Sequence, residues 1–268
     1  MKYVNYLKLL KFTKKTLRKS GLDLFSTNAV SNGLCNTSLR GVDSHGIRLL
    51  PHYLKSAKSG RKNKKPKFKI IKKYSSLISI DADNAFGHSA SLFAVNKLMK
   101  ISDKSGIAAA SIYNSSHCGA LASTCIEVAK KNYICVGFTN ADALVLAHNS
   151  KEKFFGTNPI CVAAPRIEAT PFCFDSATSI ISWNKLLDSL SKNIKLDGKF
   201  AADKEGNFTD NPNIASALIS FGGYKGFGLA NVVELFTSIY SSSVMAKDML
   251  PMFTSPIKSK RKISHFYI

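Results

Sequence analysis

The segment GVDSHGIRLLPHYL, residues 41–54, places an acid, a hydroxyl, an imidazole and a guanidinium close together. If a helix begins at Ser44, its hydroxyl is a natural N-cap, and His45 and Arg48 follow on one face. Arginine can hold a carboxylate through two parallel hydrogen bonds, and histidine exchanges a proton near neutral pH. Oxidation of a 2-hydroxy acid needs both groups. The alternative is that both residues are ordinary surface groups.

Three later stretches carry further candidate groups. His117 lies in NSSHCGA directly after a β-type run, where α/β proteins tend to place reacting groups. Asp175 in FCFDSATS ends a short apolar strand, where a carboxylate can bind ribose hydroxyls or orient an imidazole. Lys225 in GGYKGFGL lies at the start of a helix, which favours phosphate binding. Each also has a structural alternative: a strand-end histidine, a capping carboxylate and a tight turn.

Several familiar catalytic patterns are absent from the sequence. A nucleophile elbow needs glycine where Val42 stands, and adjacent side chains point apart and cannot form a triad. The six histidines include no H-E-x-x-H, so no metal site is predicted. The sequence contains no G-x-x-x-x-G-K-[ST] phosphate loop and no G-x-G-x-x-G after a strand. These absences exclude a nucleotide enzyme built on the Rossmann turn.

A mixed scaffold of helices and strands must position these groups. The first 70 residues have the pattern of helices joined by polar turns, with stops at Gly21 and Gly60. Beyond them, short β-type runs alternate with stretches whose apolar residues recur every three or four positions, which predicts an α/β core. A later helix is predicted at GLANVVELFTSIY. The predicted strands are 77–80, 106–113, 134–139, 160–164 and 172–174.

The composition is that of a globular protein. Of the 268 residues, 45% are hydrophobic, and no apolar run reaches the roughly 20 residues that cross a bilayer. We therefore expect no membrane partner. The six cysteines form no C-x-x-C pair, which favours reduced, packed thiols and a cytoplasmic protein. Residues 1–20 fit a basic amphipathic helix better than a transit peptide.

The net charge of +21 is the one extreme of the composition. RKNKKPKFKIIKK, residues 61–73, carries eight basic residues and no acid, and IKSKRK, 257–262, is also basic. A phosphate-binding surface shows such runs. The longer run contains a single aromatic residue, however, and no nucleic-acid-binding motif accompanies it. We therefore expect solvated lysine-rich faces and no specific nucleic-acid partner.

Taken in order, these motifs closely resemble the malate/L-lactate dehydrogenase family, which lacks the Rossmann fold. The motifs RGVDSHGIRLLPHY, DADNAFGH, NSSHCGA, GTNPICVAAP, FDSATS, DKEGNFTDNP and GGYKGFGL cover most of residues 39–230. The resemblance implies an α/β, non-Rossmann fold of the malate/L-lactate dehydrogenase type. Its N-terminal helical region, residues 1–74, would carry the SHG motif, and residues 75–268 would form the cofactor-binding core.

The resemblance also implies an activity. It predicts an NAD- or NADP-dependent oxidoreductase that transfers a hydride between nicotinamide and a small 2-hydroxy or 2-oxo acid, with malate first and L-lactate second. Family members are usually homodimers, so a homodimer is expected.

Residue roles follow from the matched motifs. His45 matches the family's proton donor, and Ser44 and Arg48 match its substrate-binding neighbours. His117 matches the histidine treated as proton acceptor in ureidoglycolate-type members. Both histidines are expected to be catalytic, and which one takes the substrate proton stays open. The expected cofactor-binding residues are Asp175, Ser176, Ala177, Tyr224 and Lys225.

The sequence also departs from the family pattern. Ala141 stands where a cofactor-contacting serine is common, and AHNS, 147–150, replaces an aromatic residue followed by Gly-Gly. NGLCNTS, 32–38, stands in place of an acidic, alanine-rich helix. Family members continue beyond HFYI, 265–268, so the resemblance implies a chain shortened at its C-terminus. These departures keep open a second hypothesis, a degenerate and catalytically inactive homologue.

Overall fold

The computed structural model describes residues 3–268, and helices and strands alternate along most of them. The helices are α1 Tyr6–Lys19, α2 Leu24–Leu39, α3 Leu50–Lys58, α4 Gly87–Ser105, α5 Ala122–Ala129, α6 Trp183–Lys192 and α7 Tyr224–Glu234. The strands are β1 Lys69–Lys73, β2 Leu77–Asp81, β3 Ala109–Ser115, β4 Cys135–Thr139, β5 Val145–Leu146, β6 Lys153–Phe155, β7 Ile160–Ala164, β8 Phe172–Ser176, β9 Ala201–Ala202, β10 Phe208–Thr209, β11 Ala217–Leu218 and β12 Ile263–Tyr267. Within residues 3–268, no helix has both the length and the apolar composition to cross a membrane.

Helices α1 and α2 begin where the sequence supplies capping side chains. The carboxylate of Asp23 accepts the Ser26 N–H at the start of α2, which satisfies one of the amides left free at a helix start. Residues 32–38 are helical, and Gly33 lets α2 approach α4 closely. A Cβ on Gly33 would lie 2.1 Å from the ring of His88, so only glycine fits at this contact.

The expected boundary at residue 74 lies between two strands of one sheet. β1 pairs antiparallel with β2, so the hairpin joins the two sides of that boundary. Leu17 and Tyr53 from the N-terminal helices share a buried cluster with Phe86, which lies beyond it. The division into 1–74 and 75–268 therefore stays a prediction.

A seven-stranded sheet has the order β1-β2-β3-β12-β4-β7-β8. All five predicted strands belong to it, and β2 and β3 pair in parallel. Helices α4 and α5 pack on the sheet through a core that includes Ile80, Ile112 and Cys125. β12, which the sequence did not predict, lies between β3 and β4 with all five residues buried. The six cysteines are free thiols and five are buried, as predicted.

A smaller five-stranded sheet has the order β10-β9-β11-β5-β6. The chain passes from the first sheet to the second through residues 140–144 and returns through residues 156–159. These two links lie side by side, because the Ala141 N–H donates to the side chain of Asn158 over 3.3 Å. They supply part of the candidate site described below.

Candidate functional site

The segment that carries His45 consists of two 3₁₀ turns, and α3 begins only at Leu50. Gly46 separates the turns with φ −101° and ψ −138°. A larger residue does not fit there, because a Cβ on Gly46 would lie 2.2 Å from the Ser38 hydroxyl. The predicted helix from Ser44, with its hydroxyl as N-cap, is therefore wrong.

The two turns direct their polar side chains differently. The Ser44 hydroxyl lies 3.0 Å from Nδ1 of His45 and orients its imidazole. Arg48 instead makes two hydrogen bonds, of 3.1 and 2.9 Å, with the carboxylate of Asp188, and 57% of its side chain is exposed. His45 and Arg48 therefore do not share one face, contrary to the prediction.

His45 and His117 come together although they lie far apart in the sequence. Their ring centroids are 5.9 Å apart, with the planes inclined by 25°. Burial lowers the pKa of His45 and brings the pKa of His117 well below its usual value. The neighbouring His45 and Lys62 side chains add to the effect on His117. Both rings are therefore neutral near pH 7.

The hydrogen bonds of His117 define its tautomer. The Gly119 N–H donates to Nδ1 of His117 over 3.2 Å, and the Tyr53 hydroxyl lies 2.9 Å from the same nitrogen. A nitrogen that accepts an N–H carries no proton of its own, so the neutral ring is protonated at Nε2. His45 is less restricted, because the Ser44 hydroxyl can either donate to its Nδ1 or accept from it.

A cavity of about 260 Å³ is bounded by both histidines. Its other walls come from the links between the two sheets, the start of α6 and residues 251–254. The Asn184 side-chain amide donates to the Ser44 carbonyl over 3.0 Å, which ties α6 to the SHG turn. The lining is largely apolar and includes Leu49, Ala141, Leu144, Trp183, Pro251, Met252 and Phe253. In the described part of the chain, no three His, Cys, Asp or Glu side chains are placed to hold a metal ion.

Arg261 supplies the cavity with a buried guanidinium. It forms an ion pair with Asp142, and its Nε donates to the Leu250 carbonyl over 2.8 Å. Arg261 and Asp142 both line the cavity, and Arg261 is 5% exposed. Nη1 of Arg261 has no hydrogen-bond partner within residues 3–268. Sequence reasoning missed this residue because it belongs to the basic run 257–262.

Two residues of the longer basic run are also buried. Arg61, 2% exposed, donates to the carbonyls of Met252 and Pro256 and so fixes one wall of the cavity. Lys62 is 3% exposed, with Nζ 3.4 Å from the centroid of the Tyr53 ring. The prediction of a solvated face is wrong for Arg61 and Lys62, as it is for Arg261. Nothing in either run separates these residues from the exposed lysines beside them.

The two predicted cofactor segments meet. The Phe221 N–H donates to the Thr178 carbonyl over 3.0 Å, and Ser179 and Ser220 form a β-bridge. This contact brings the residues after β8 beside the start of α7, where Tyr224 is located. The Thr178 N–H donates to the carbonyl of Thr157, which lines the cavity. The expected cofactor segments thus adjoin the histidine cavity without lining it.

The individual residues in these segments have different surroundings. Asp175 accepts the Ala122 N–H over 2.8 Å and so caps the start of α5, as its structural alternative predicts. The Ser176 hydroxyl donates to the carbonyl of Ala177 over 3.0 Å. Lys225 is exposed, and its ammonium makes no hydrogen bond or ion pair with residues 3–268.

A buried polar network supports the links between the sheets. The Asn140 amide donates to the Ser238 hydroxyl over 2.8 Å, and that hydroxyl donates to Glu234 over 2.6 Å. The Asn158 amide donates to the other carboxylate oxygen of Glu234 over 2.9 Å. One carboxylate on α7 therefore fixes both links beside the cavity.

Comparison with known proteins identifies the family. A family model described as malate/L-lactate dehydrogenase matches residues 4–268. The chain belongs to this family. The family and the fold that the motifs implied are thus confirmed.

Relatives of this malate/L-lactate dehydrogenase family member act on several acids. The chain is 27% identical over 237 residues to the ureidoglycolate dehydrogenase (NAD(+)) of Escherichia coli K12, covering 88% of this chain and 68% of the relative. It is 32% identical over 234 residues to the L-sulfolactate dehydrogenase of Methanocaldococcus jannaschii, covering 86% and 67%. The crystal structure of malate dehydrogenase from Entamoeba histolytica superposes with a TM-score of 0.92 at 27% identity, covering 99% of this chain and 78% of that one.

Proposed function

We propose that this chain is a nicotinamide-dependent oxidoreductase that interconverts a small 2-hydroxy acid and its 2-oxo acid. One observation carries the proposal: the stacked rings of His45 and His117 bound the same cavity as the buried guanidinium of Arg261. A proton carrier and a carboxylate ligand are the two groups that this chemistry needs from the protein.

We assign the carboxylate-binding role, first expected of Arg48, to Arg261. Arg48 pairs with Asp188 at the surface, whereas Arg261 lines the cavity with Nη1 free among the described residues. A guanidinium in a cavity that excludes most water holds a carboxylate more strongly than an exposed one. Asp142 and the Leu250 carbonyl keep the guanidinium in place.

The two histidines take different roles in this proposal. Nδ1 of His117 already accepts the Gly119 N–H, so His117 offers its Nε2 proton to the substrate oxygen. His45 can lose or gain a proton at Nε2 while Ser44 adapts at Nδ1, so His45 exchanges the substrate proton. Loss of a general acid or base typically lowers turnover by roughly 10²- to 10⁴-fold, and we expect that loss for His45→Ala.

A nicotinamide cofactor fits the residues next to this cavity. When bound, it would supply or accept the hydride. The junction of the two segments at Thr178 and Phe221 leaves the Lys225 ammonium free, which suits a phosphate group. We propose that Asp175, Ser176, Ala177, Tyr224 and Lys225 line this subsite, and that either NAD or NADP is used.

Malate is the first substrate candidate and L-lactate the second.

We further propose the homodimer expected from the resemblance. It is supported by apolar side chains left exposed on the π-helical segment that continues α7, among them Leu235, Ile239 and Tyr240. Light scattering after size-exclusion chromatography tests this part separately.

The test of the proposal is a titration of the purified chain with NADH and NADPH, followed by nicotinamide fluorescence. Lys225→Ala should weaken binding, and Lys15→Ala, an exposed lysine of α1, is the matched control. Reduction of a panel of 2-oxo acids is then followed at 340 nm, and Arg261→Lys should raise KM for the acid.

Absence of cofactor binding to folded protein at millimolar concentration would reject the proposal. That outcome would favour the degenerate homologue, which Ala141 already supports. Binding without turnover of any 2-oxo acid would retain the cofactor subsite and reject the catalytic assignment.

A further inference from the structure

Lys62 has a buried side-chain amino group without a hydrogen-bond acceptor, and burial lowers its pKa well below the usual value. Its Nζ has no partner among residues 3–268, although the side chain is 3% exposed. Burial of an unpaired ammonium is costly, so native proteins rarely retain one without a reason. Its contacts are aromatic faces, with Nζ 3.4 Å from the Tyr53 ring centroid and 4.8 Å from that of Phe86.

Tyr53 connects this ammonium to His117. The Tyr53 hydroxyl lies 2.9 Å from Nδ1 of His117 and 3.2 Å from its carbonyl oxygen. A cation over the face of a phenol draws electron density from the ring and makes its O–H a stronger donor. The single O–H proton of Tyr53 faces both acceptors of His117, and a charged Lys62 strengthens its donation to either of them, while the Gly119 N–H also donates to Nδ1.

We infer that Lys62 is a positioning residue that acts through Tyr53 to keep His117 neutral and protonated at Nε2. The inference rests on the proposed function, in which this Nε2 proton is directed at the substrate oxygen. It adds to that function an explanation of why His117, one of the two stacked histidines, acts as a hydrogen-bond donor.

The charges around His117 act in the same direction. Protonation of His117 would add a positive charge beside Lys62 and Arg261, which share a small cavity of about 10 Å³ with it and Arg61. The other titratable groups that face Lys62 and His117 are His45, His52, His88, Tyr53 and Cys118, and none of them is a carboxylic acid. The nearby carboxylate of Asp142 is engaged by Arg261.

The decisive variant is Lys62→Met, which removes the charge and keeps the length of an unbranched side chain. Lys65→Met, on an exposed lysine of the same run, is the matched control. The ring nitrogens of His117 are observed by two-bond ¹H–¹⁵N spectra of the unliganded, histidine-labelled chain between pH 5 and 9. His117→Gln identifies the signals.

In the wild type and in Lys65→Met, we expect the Nε2–H tautomer and no protonation of His117 across the range in which the chain is folded. In Lys62→Met, the midpoint of His117 protonation should rise by about one pH unit or more, because a like charge has been removed. The acidic limb of kcat/KM should rise with it. Lys62→Met should melt at the same or a higher temperature, since an unpaired ammonium is replaced by an apolar group.

Tyr53→Phe gives an independent test, because it keeps Lys62 and removes the connection. It should weaken the Nε2–H preference of His117. Identical His117 spectra and titrations in the wild type, Lys62→Met and Tyr53→Phe would overturn the inference, as would a neutral Lys62 amine across the range. If Lys62→Met does not fold, Lys62→Gln is assessed by the same spectra. Because the spectra need no substrate, they distinguish a failure of this inference from a failure of the dehydrogenase proposal.

Discussion

Two buried ionisable side chains of this molecule differ in their hydrogen bonds: Glu234 accepts several, whereas Lys62 makes none with residues 3–268. Glu234 is fully buried, and its carboxylate accepts hydrogen bonds from Asn158, from Ser238 and from the backbone N–H of Ala246. Lys62 is almost as buried, but its side-chain nitrogen has no acceptor among residues 3–268. Three hydrogen-bond donors stabilise the Glu234 carboxylate, whereas the Lys62 nitrogen contacts only aromatic ring faces.

The comparison distinguishes a buried group that stabilises the fold from one whose burial destabilises it. A satisfied buried carboxylate holds together the segments that donate to it. An unsatisfied buried charge weakens the fold unless another contact offsets it, so its presence beside the cavity points to function. The following predictions test this contrast at Glu234 and at other buried or exposed charges.

The largest effect is expected at Glu234. Glu234→Ala leaves the donors of Asn158, Ser238 and Ala246 without an acceptor, and breaking such a buried network costs about 3–5 kcal/mol. The measurement is the free energy of unfolding in urea. Glu152→Ala, on an exposed glutamate, should change it by less than about 0.5 kcal/mol. Equal losses in both variants would remove the contrast.

Acidification should be the next largest effect. Burial lowers the pKa of His88 to about 3 and that of His265 to about 4, from the usual 6.5. The unfolded chain therefore binds more protons below pH 6.5, and stability falls as pH decreases from there towards 4. Each histidine contributes up to about 1.4 kcal/mol per pH unit, or up to about 4 kcal/mol for both at pH 5.

Urea unfolding at pH 7.5, 6.5, 5.5 and 5 measures this dependence. His88→Leu removes one of the buried histidines and should lower the slope below pH 6.5 by up to about 1.4 kcal/mol per pH unit. An unfolding free energy that does not change between pH 7 and pH 5 would contradict the prediction.

A smaller loss is expected at the buried ion pair. Asp142→Asn keeps the shape of the side chain but removes the charge that compensates Arg261, which should cost about 1–3 kcal/mol. Because Arg261 then loses its restraint in the cavity, KM for the 2-oxo acid should also change. An unchanged urea midpoint together with an unchanged KM would show that the pair supports neither fold nor site.

The smallest effect is expected at the exposed ion pair. Arg48→Ala breaks the contact with Asp188, and exposed pairs contribute about 0–1 kcal/mol. Thermal melting at low and high salt checks this. If Arg48→Ala instead raises KM for the acid as much as Arg261→Lys does, the carboxylate assignment made here is wrong.

The sequence predicts the scaffold better than the site. Periodicity located five of the seven strands of the larger sheet because each is a short apolar run. It failed at Ser44 because the break depends on Gly46, whose backbone is dictated by contact with Ser38 on another helix. Such a contact between two structural elements leaves no periodic pattern in the sequence.

The motifs also predicted that His45 and His117 line one pocket, and both bound the same cavity, while their catalytic roles stay predictions. The cationic residues were harder to predict. Arg48 was chosen for its spacing from His45. In a turn, however, a shift of one residue along the chain changes whether a side chain faces the cavity or the surface. Arg261 and Lys62 lie in runs of lysine and arginine, where composition favours exposure and only tertiary packing distinguishes the buried members.

The position of β12 has a consequence for how the molecule is built during synthesis. β12 separates β3 from β4, although residues 109–139 leave the ribosome more than a hundred residues earlier. Until residues 263–267 arrive, both older strands present open edges that can pair with other chains. Completion of the sheet depends on contacts of very long sequence separation, which form slowly. We therefore expect nascent chains ending before β12 to depend on chaperones and to aggregate when these are depleted.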